Sequence, residues 1–197
     1  MKLSDKFTLS RIIFSPVFLA LYIFPHYFPQ FKTFSAVTGW ILIPLLALVE
    51  FTDFLDGFYA RKTNAVSDFG KVFDPFADVI LHITTLCSFT FTGYFNPICL
   101  ILILYREFTM NFIRMVASKK GVAIAARKGG KLKTCFYIAT GFVMLLVECA
   151  SRVGYPFGAD VRAVFDIVIT VMSWLCVVLA YISFIDYIKS FASILKE

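Results

Sequence analysis

Charged residues make up only 16% of this 197-residue chain and hydrophobic residues 59%, whereas a soluble domain has about 25% charged residues. The composition excludes a soluble domain and indicates an integral membrane protein, which we treat as one membrane domain spanning residues 1–197. The net charge of +6 indicates cytoplasmic loops that face anionic lipid rather than a nucleic acid partner.

Six apolar segments follow one another along the chain: residues 11–28, 34–59, 72–95, 97–117, 132–149 and 163–188. Each has or approaches the length of about 20 residues that crosses a bilayer as a helix. If the amino terminus is cytoplasmic, the outer segments contain only Lys32, Arg152 and Arg162, and the positive-inside rule selects this orientation. The sequence therefore predicts an all-α membrane protein with six transmembrane helices and both termini in the cytoplasm.

Four carboxylates lie in or beside the second and third apolar segments: Asp53, Asp56, Asp74 and Asp78. Members of each pair are three or four residues apart, so each pair shares one face of a helix. A polar turn over residues 62–70 would join two antiparallel helices and point both pairs at one space. Carboxylates at bilayer depth repel one another unless a cation lies between them, and a hard divalent cation prefers oxygen ligands. The alternative is a carboxylate network that only packs or pairs.

Small and basic residues accompany these carboxylates. Gly57 and Ala60 leave their helix face without bulk, so that backbone or ligand can come close, and the Arg61 guanidinium suits a phosphate. His82 lies one turn after Asp78, where a minor role in the site competes with a core histidine, because no second histidine completes a metal pattern.

A second group of polar residues lies between positions 105 and 134. Arg106 and Arg114 are eight residues apart, close to two helical turns, so both can face one cavity, although a structural ion pair is the alternative for Glu107. The loop and the start of the next segment add Gly130, Lys131, Lys133 and Thr134. Basic groups among glycines suit a phosphate, whereas the alternative for the basic loop is charge that only sets the orientation of the protein in the membrane.

The pattern D-x2-D-G-x2-A-R-x8-G-x3-D-x3-D resembles the signature of the CDP-alcohol phosphatidyltransferase family. Every signature position is present: Asp53, Asp56, Gly57, Ala60, Arg61, Gly70, Asp74 and Asp78. The opening, with Thr8, Arg11 and Pro16, and the region 105–134 resemble the branch of that family that makes phosphatidylglycerophosphate. The chain departs from that branch at Asp5, Glu50 and Val79, where asparagine, a small residue and lysine are common.

The resemblance implies an enzyme that uses Mg²⁺ or Mn²⁺ to transfer a phosphatidyl group from CDP-diacylglycerol to glycerol 3-phosphate. It implies that Asp78 is the general base and that Asp53, Asp56, Asp74 and Asp78 bind metal. The nucleotide or donor site would comprise Thr8, Arg11, Asp53, Gly57, Ala60, Arg61 and Gly70. The acceptor phosphate site would comprise Arg106, Arg114, Lys131, Lys133 and Thr134. It also implies a homodimer in a membrane, which we expect to be the bacterial inner membrane, with the active site facing the cytoplasm.

Three other functions remain open from the sequence. The same reaction could use serine, inositol phosphate or choline as acceptor. A transporter could use the carboxylates to bind ions, although broken helices or inverted repeats would then be expected. A non-catalytic scaffold is the third, and the intact signature argues against it.

Overall fold

A computed structural model describes residues 3–63, 68–121, 128–155 and 157–195, except for the side chains of residues 3–6, 53–63, 68–69, 71–72, 128 and 190–195. Six helices and no strand occur in these ranges. They are α1 (Leu3–Tyr27), α2 (Lys32–Thr63), α3 (Asp68–Phe91), α4 (Pro97–Lys119), α5 (Lys128–Arg152) and α6 (Ala159–Leu195). The prediction of an all-α protein is therefore confirmed over the described residues.

The helices differ from the predicted segments mainly at their ends. Polar ends do not terminate a helix, so α1 begins at Leu3 and α6 continues to Leu195. Pro25 lies inside α1, because neighbouring helices and local adjustments tolerate proline in apolar helices. The predicted turn over residues 62–70 is too long, since α2 continues to Thr63 and α3 already begins at Asp68. The part of this turn at residues 64–67 lies outside the described residues.

The start of α4 shows how local sequence sets a helix boundary. The side chain of Asn96 accepts a hydrogen bond from the backbone nitrogen of Ile98 at 2.8 Å, which satisfies one of the free donors in the first turn. Pro97 follows at the first helical position, where its missing N–H has no consequence and its fixed φ favours the helix. Helix α3 ends at Phe91, earlier than the predicted residue 95, and a short turn leads from it to Asn96.

Within the described ranges, four helical stretches are long and apolar enough to cross a membrane: Phe7–Tyr27, Lys32–Thr52, Gly129–Arg152 and Ala159–Lys189. Helices α3 and α4 carry several charged side chains, among them Asp74, Asp78, Arg106 and Glu107, which lowers their hydropathy. The structure thus supports a membrane protein with several apolar helices, whereas the count of six spans and the location of the termini stay predictions.

The six helices form a closed ring. Helix α1 packs against α2 and α3, α4 packs against α3 and α6, and α5 packs against α6 and α2, with a further contact between α3 and α5 across the interior. A continuous core of buried side chains fills the interior and includes Phe18, Tyr22, Leu86, Phe89 and Met144. Large apolar side chains also cover the outer surface; Trp40, for example, is 73% exposed. Such a surface suits contact with lipid.

Polar side chains tie α1, α2 and α5 together at one end of the ring. Arg152 donates to Glu148 Oε1 at 2.7 Å, to Thr38 Oγ1 at 3.2 Å and to the Tyr22 carbonyl at 2.6 Å. Tyr22 is near the last residue of α1, so the first residues of α1 lie at the opposite end of the ring. The first residues of α3 lie there too, because they contact those of α1. This second end carries the predicted site.

Gly39 of α2 lies against the end of α5, and Gly39→Ala is expected to destabilise the protein. An added Cβ would lie 3.1 Å from the Cβ of Arg152 and 3.2 Å from Cγ1 of Val153. Overpacking of this kind costs about 1–3 kcal/mol. Unfolding in detergent by a denaturant titration would measure the change. Gly141→Ala is the matched control, because its added Cβ would make only ordinary contacts at 3.5 Å and beyond. Equal stabilities of the two variants would contradict the prediction.

Candidate active site

Two polar contacts join the first turns of α1 to the first turns of α3. Thr8 Oγ1 donates a hydrogen bond to Asp74 Oδ1, and Arg11 Nη1 donates to Asp78 Oδ1 in an ion pair. Thr8 and Arg11 are buried, with 0% and 1% of their surface exposed. Because both residue numbers increase together along the two helices, α1 and α3 run parallel here. The spacing of three residues on α1 and four on α3 places one such contact on each successive turn.

These contacts relate the signature carboxylates to the opening of the chain. The prediction that Asp74 and Asp78 share one face of a helix is confirmed, since both meet α1. The family resemblance implies that Thr8 and Arg11 bind the nucleotide, and in the structure both contact the carboxylates directly. Both carboxylates are half-buried, and such donors stabilise them, because an ionised carboxylate without hydrogen bonds is disfavoured next to an apolar interior.

The remaining signature residues of α2 lie at the end of that helix. Their backbone is helical up to Thr63, but their side chains lie outside the described residues: Asp53, Asp56, Gly57, Ala60 and Arg61. Gly70 on α3 is buried. The convergence of the two aspartate pairs on one space is therefore still a prediction.

The described carboxylates suit a hard divalent cation. Asp74 and Asp78 present carboxylate oxygens from consecutive turns of one helix face, and oxygen is the ligand atom that Mg²⁺ and Mn²⁺ prefer. Among the residues with described side chains, no group of three or more histidine, cysteine, aspartate or glutamate residues is close enough to hold a metal ion. A complete site would thus need the carboxylates of α2 as well.

A group of charges, here called the basic cluster, lies between α4, α5 and α6 and consists of Arg106, Glu107, Arg114 and Lys133. Arg114 is half-buried, and the other three are buried. Glu107 lies at its centre: Oε2 accepts from Arg106 Nη1 at 2.8 Å, and Oε1 accepts from Lys133 Nζ at 2.6 Å. The hydroxyl of Tyr137 donates to Oε1 of Glu107 at 3.2 Å. Glu107 thus forms one ion pair with Arg106, the preceding residue of α4, and a second with Lys133 of α5, which was not predicted as its partner.

Helix α6 completes the basic cluster, although no residue of α6 was predicted to belong to the site. Arg106 donates from Nε to the Ala180 carbonyl and from Nη2 to Ser183 Oγ, both at 3.2 Å. The guanidinium of Arg114 lies 5.9 Å from the ring centre of Tyr187, within the range of a cation–π contact. Ser183 and Tyr187 are four residues apart, so they share a face of α6. This spacing of polar residues within an apolar helix is the signal that could have identified them.

Two of the predicted acceptor residues do not join the basic cluster. Lys131 is exposed whereas Lys133 is buried, because residues two apart on a helix point in nearly opposite directions. The hydroxyl of Thr134 donates to the Gly130 carbonyl at 3.2 Å within α5. The structure therefore brings Arg106, Arg114 and Lys133 together but not Lys131, and a role for Lys131 and Thr134 in acceptor binding stays a prediction.

Tyr137 connects the basic cluster to His82 on α3. His82 is one turn beyond Asp78, and its ring lies 6.2 Å, centre to centre, from the ring of Tyr137 in an edge-to-face arrangement. Tyr137 in turn donates to Glu107. The basic cluster is therefore in contact, through Tyr137, with the helix that carries Asp74 and Asp78.

The whole chain is similar to known proteins. The family model for CDP-alcohol phosphatidyltransferase matches residues 1–182. A Treponema pallidum protein named CDP-diacylglycerol–glycerol-3-phosphate 3-phosphatidyltransferase is 40% identical over 208 aligned residues, which cover 100% of this chain and 92% of the relative. Proteins of the same name from Bacillus subtilis and Aquifex aeolicus are 32% and 30% identical. Those alignments cover 87% and 100% of this chain, and 90% and 100% of the two relatives.

Proposed function

Because the chain belongs to the CDP-alcohol phosphatidyltransferase family, we propose that it transfers a phosphatidyl group from CDP-diacylglycerol to glycerol 3-phosphate. The products are phosphatidylglycerophosphate and CMP. The observation that carries the proposal is the identity of 40% with the Treponema pallidum protein over the full length of this chain. The intact signature and the basic cluster agree with it.

The reaction forms one phosphorus–oxygen bond and breaks another. The acceptor hydroxyl attacks the β-phosphorus of the donor, its proton passes to Asp78, and CMP leaves. Asp78 has the carboxylate that a general base needs, and its ion pair with Arg11 holds that carboxylate in one orientation. Thr8 holds Asp74 in the same way. The acyl chains of the donor stay in the lipid while the head group reacts at the end of the ring.

A divalent metal ion, Mg²⁺ or Mn²⁺, would be held by Asp53, Asp56, Asp74 and Asp78 and would neutralise the pyrophosphate and the leaving phosphate. We assign Gly57, Ala60, Arg61 and Gly70 to the nucleotide, as the family resemblance implies. Addition of excess EDTA should abolish CMP release, and Mg²⁺ added back should restore it. Full activity after chelation would remove the metal from the proposal.

The net charge of the basic cluster favours a phosphorylated acceptor. Arg106 and Lys133 pair with Glu107, the single carboxylate of the basic cluster, and Arg114 lies against the ring of Tyr187. The three cations of the cluster therefore exceed its one carboxylate by two positive charges. A phosphate monoester carries about −1.5 to −2 at neutral pH. Glycerol 3-phosphate carries such a group, whereas serine does not.

The Lys133→Ala variant is expected to raise the KM for glycerol 3-phosphate more than the KM for CDP-diacylglycerol. A hydrogen bond to a charged group contributes about 1.5–3 kcal/mol, which corresponds to a change of roughly 10- to 100-fold. Steady-state kinetics with each substrate varied in turn would measure both constants. Lys32→Ala, at the start of α2 and exposed, is the control. Equal changes in the two KM values would place Lys133 outside the acceptor site.

The reaction itself is tested with radiolabelled glycerol 3-phosphate and purified protein in detergent. Label should pass into the organic phase only when CDP-diacylglycerol is present, with one CMP released for each labelled lipid formed. Lipid labelling without the donor, or CMP release without labelling, would contradict the proposed transfer.

We further propose that the protein is a homodimer in the bacterial inner membrane with its active site facing the cytoplasm. The orientation is supported by the basic residues within the signature region, Arg61, Lys62 and Lys71, because such residues are retained on the cytoplasmic side. The dimer is supported by the family resemblance.

A further inference from the structure

Helix α6 holds Arg106 of α4 by two hydrogen bonds from one edge of its guanidinium. Nε donates to the Ala180 carbonyl and Nη2 donates to Ser183 Oγ, both at 3.2 Å. These two nitrogens form a fixed fork, because the guanidinium is planar. Ala180 and Ser183 are three residues apart and share a face of α6, so the fork meets both acceptors at once.

The third contact of Arg106 reaches the rest of the basic cluster. Nη1 donates to Glu107 Oε2 at 2.8 Å, and the other oxygen of Glu107 accepts from Lys133 Nζ at 2.6 Å. A guanidinium has five N–H donors, so two remain, one on Nη1 and one on Nη2. The contacts with α6 therefore orient the remaining donors of Arg106 and, through Glu107, the ammonium group of Lys133.

Ser183 differs from the other buried serines of the described residues in what its side chain contacts. Ser15, Ser88 and Ser173 each donate to a carbonyl four residues earlier in their own helix, a common contact of a serine inside a helix. Ser183 Oγ instead accepts from a guanidinium of another helix, and only 1% of the surface of Ser183 is exposed. Its oxygen therefore serves a contact between helices.

Loss of the Ser183 hydroxyl would release one edge of the guanidinium. Arg106 is only 3% exposed, so water cannot readily replace the missing acceptor, and a buried donor without a partner is costly. The guanidinium would turn towards another acceptor, although the one carboxylate of the basic cluster already binds both Arg106 and Lys133. The contact with Ser183 therefore determines the orientation of Arg106, whereas the charge of Arg106 does not depend on it.

We propose that Ser183 is a positioning residue for the acceptor: by holding Arg106, it sets the geometry with which the basic cluster meets the phosphate of glycerol 3-phosphate. This inference depends on the proposed function, because it assumes that the basic cluster binds that phosphate. Phosphate recognition by a guanidinium requires donors whose directions match the phosphate oxygens. A rotated guanidinium therefore weakens acceptor binding without a change in net charge.

The test measures the steady-state KM for each substrate with purified protein in detergent. Ser183→Ala should raise the KM for glycerol 3-phosphate by roughly 10-fold, the factor that corresponds to the loss of about one hydrogen bond. The KM for CDP-diacylglycerol should not change. Ser183→Thr keeps the hydroxyl and should resemble the unaltered protein. Its extra methyl group has room, because Gly129 has no side chain and a Cβ added there would lie 3.7 Å from Ser183 Cβ.

Ser173→Ala is the matched control. It also removes a buried hydroxyl from α6, but one that donates to the Ile169 carbonyl of the same helix at 2.8 Å, and it should change neither KM. If Ser183→Ala changes both KM values equally, or lowers only the Tm, Ser183 is structural and the inference is overturned. A Ser183→Thr variant as impaired as Ser183→Ala would overturn it too, because the hydroxyl would then not be the group that matters.

A second variant decides the question if Ser183→Ala does not fold. Ser183→Cys keeps the approximate size of the side chain, but its sulfur is only a weak acceptor. It should raise the KM for glycerol 3-phosphate and leave the KM for CDP-diacylglycerol unchanged. A folded Ser183→Cys variant with both KM values unaltered would overturn the inference.

The proposed function and the inference fail in different experiments. Absence of lipid labelling from glycerol 3-phosphate in the unaltered protein would overturn the function. A normal KM for glycerol 3-phosphate in Ser183→Ala, with labelling intact in the unaltered protein, would overturn the positioning role alone.

Discussion

Asp78→Asn is expected to abolish turnover while the protein still binds the nucleotide. The carboxamide keeps the size of the side chain and an oxygen that can accept from Arg11 Nη1, the donor to Asp78 in the structure. It has no basicity, however, and general bases contribute about 10²- to 10⁴-fold to rate. CMP release should therefore fall by that factor, whereas CDP binding, measured by titration calorimetry, should persist.

The matched control for this variant is Asp166→Asn. Asp166 also pairs with an arginine, Arg162 at 3.3 Å, but on the exposed surface of α6. Its replacement should leave CMP release near that of the unaltered protein. Normal turnover in Asp78→Asn would exclude Asp78 as the base.

Glu107→Ala is expected to cause the largest loss of stability. The change would remove the only carboxylate of the basic cluster and leave Arg106 and Lys133, both less than 10% exposed, without their partner. Removing one partner of a buried ion pair costs about 3–5 kcal/mol, because an uncompensated charge remains. The free energy of unfolding, measured by denaturant titration in detergent, should fall by this amount.

Two further variants separate charge balance from simple loss of a side chain. Glu107→Ala combined with Lys133→Met should be more stable than Glu107→Ala alone, since it leaves fewer unpaired cations. Asp160→Ala, at the exposed start of α6, should change stability little. A cost for Glu107→Ala no greater than that for Asp160→Ala would show that the cluster does not hold the helices together.

Helical periodicity explains most of what the sequence could predict. The spacing of Asp74 and Asp78 predicted a shared face, and the apolar segments predicted the six helices and their order. The same rule would have separated Lys131 from Lys133, since residues two apart do not share a face. Both lysines were predicted to bind the acceptor phosphate, but only Lys133 lies in the basic cluster.

The parts of the site that the sequence did not predict depend on contacts between distant residues. Thr8 and Asp74 are 66 residues apart, and Arg106 and Ser183 are 77 apart. Their meeting is set by the closed ring of helices, in which α1 lies beside α3 and α6 lies beside α4.

Helix ends were the other source of error. Charged residues near the membrane surface end an apolar segment but not a helix, so α2 continues through the signature to Thr63. The hydropathy of a segment therefore indicates which part of a helix lipid can cover. Capping residues and prolines instead set where a helix begins, as Asn96 and Pro97 do for α4.

The choice of acceptor is the central claim, and CMP release with single acceptors tests it most directly. Purified protein in detergent would receive CDP-diacylglycerol and Mg²⁺ with glycerol 3-phosphate, serine, inositol, inositol phosphate or choline, one at a time. Release with glycerol 3-phosphate alone is the predicted result and would support the basic cluster as the acceptor phosphate site. Release with serine or choline in place of glycerol 3-phosphate would contradict that assignment, while the role of the carboxylates would stand.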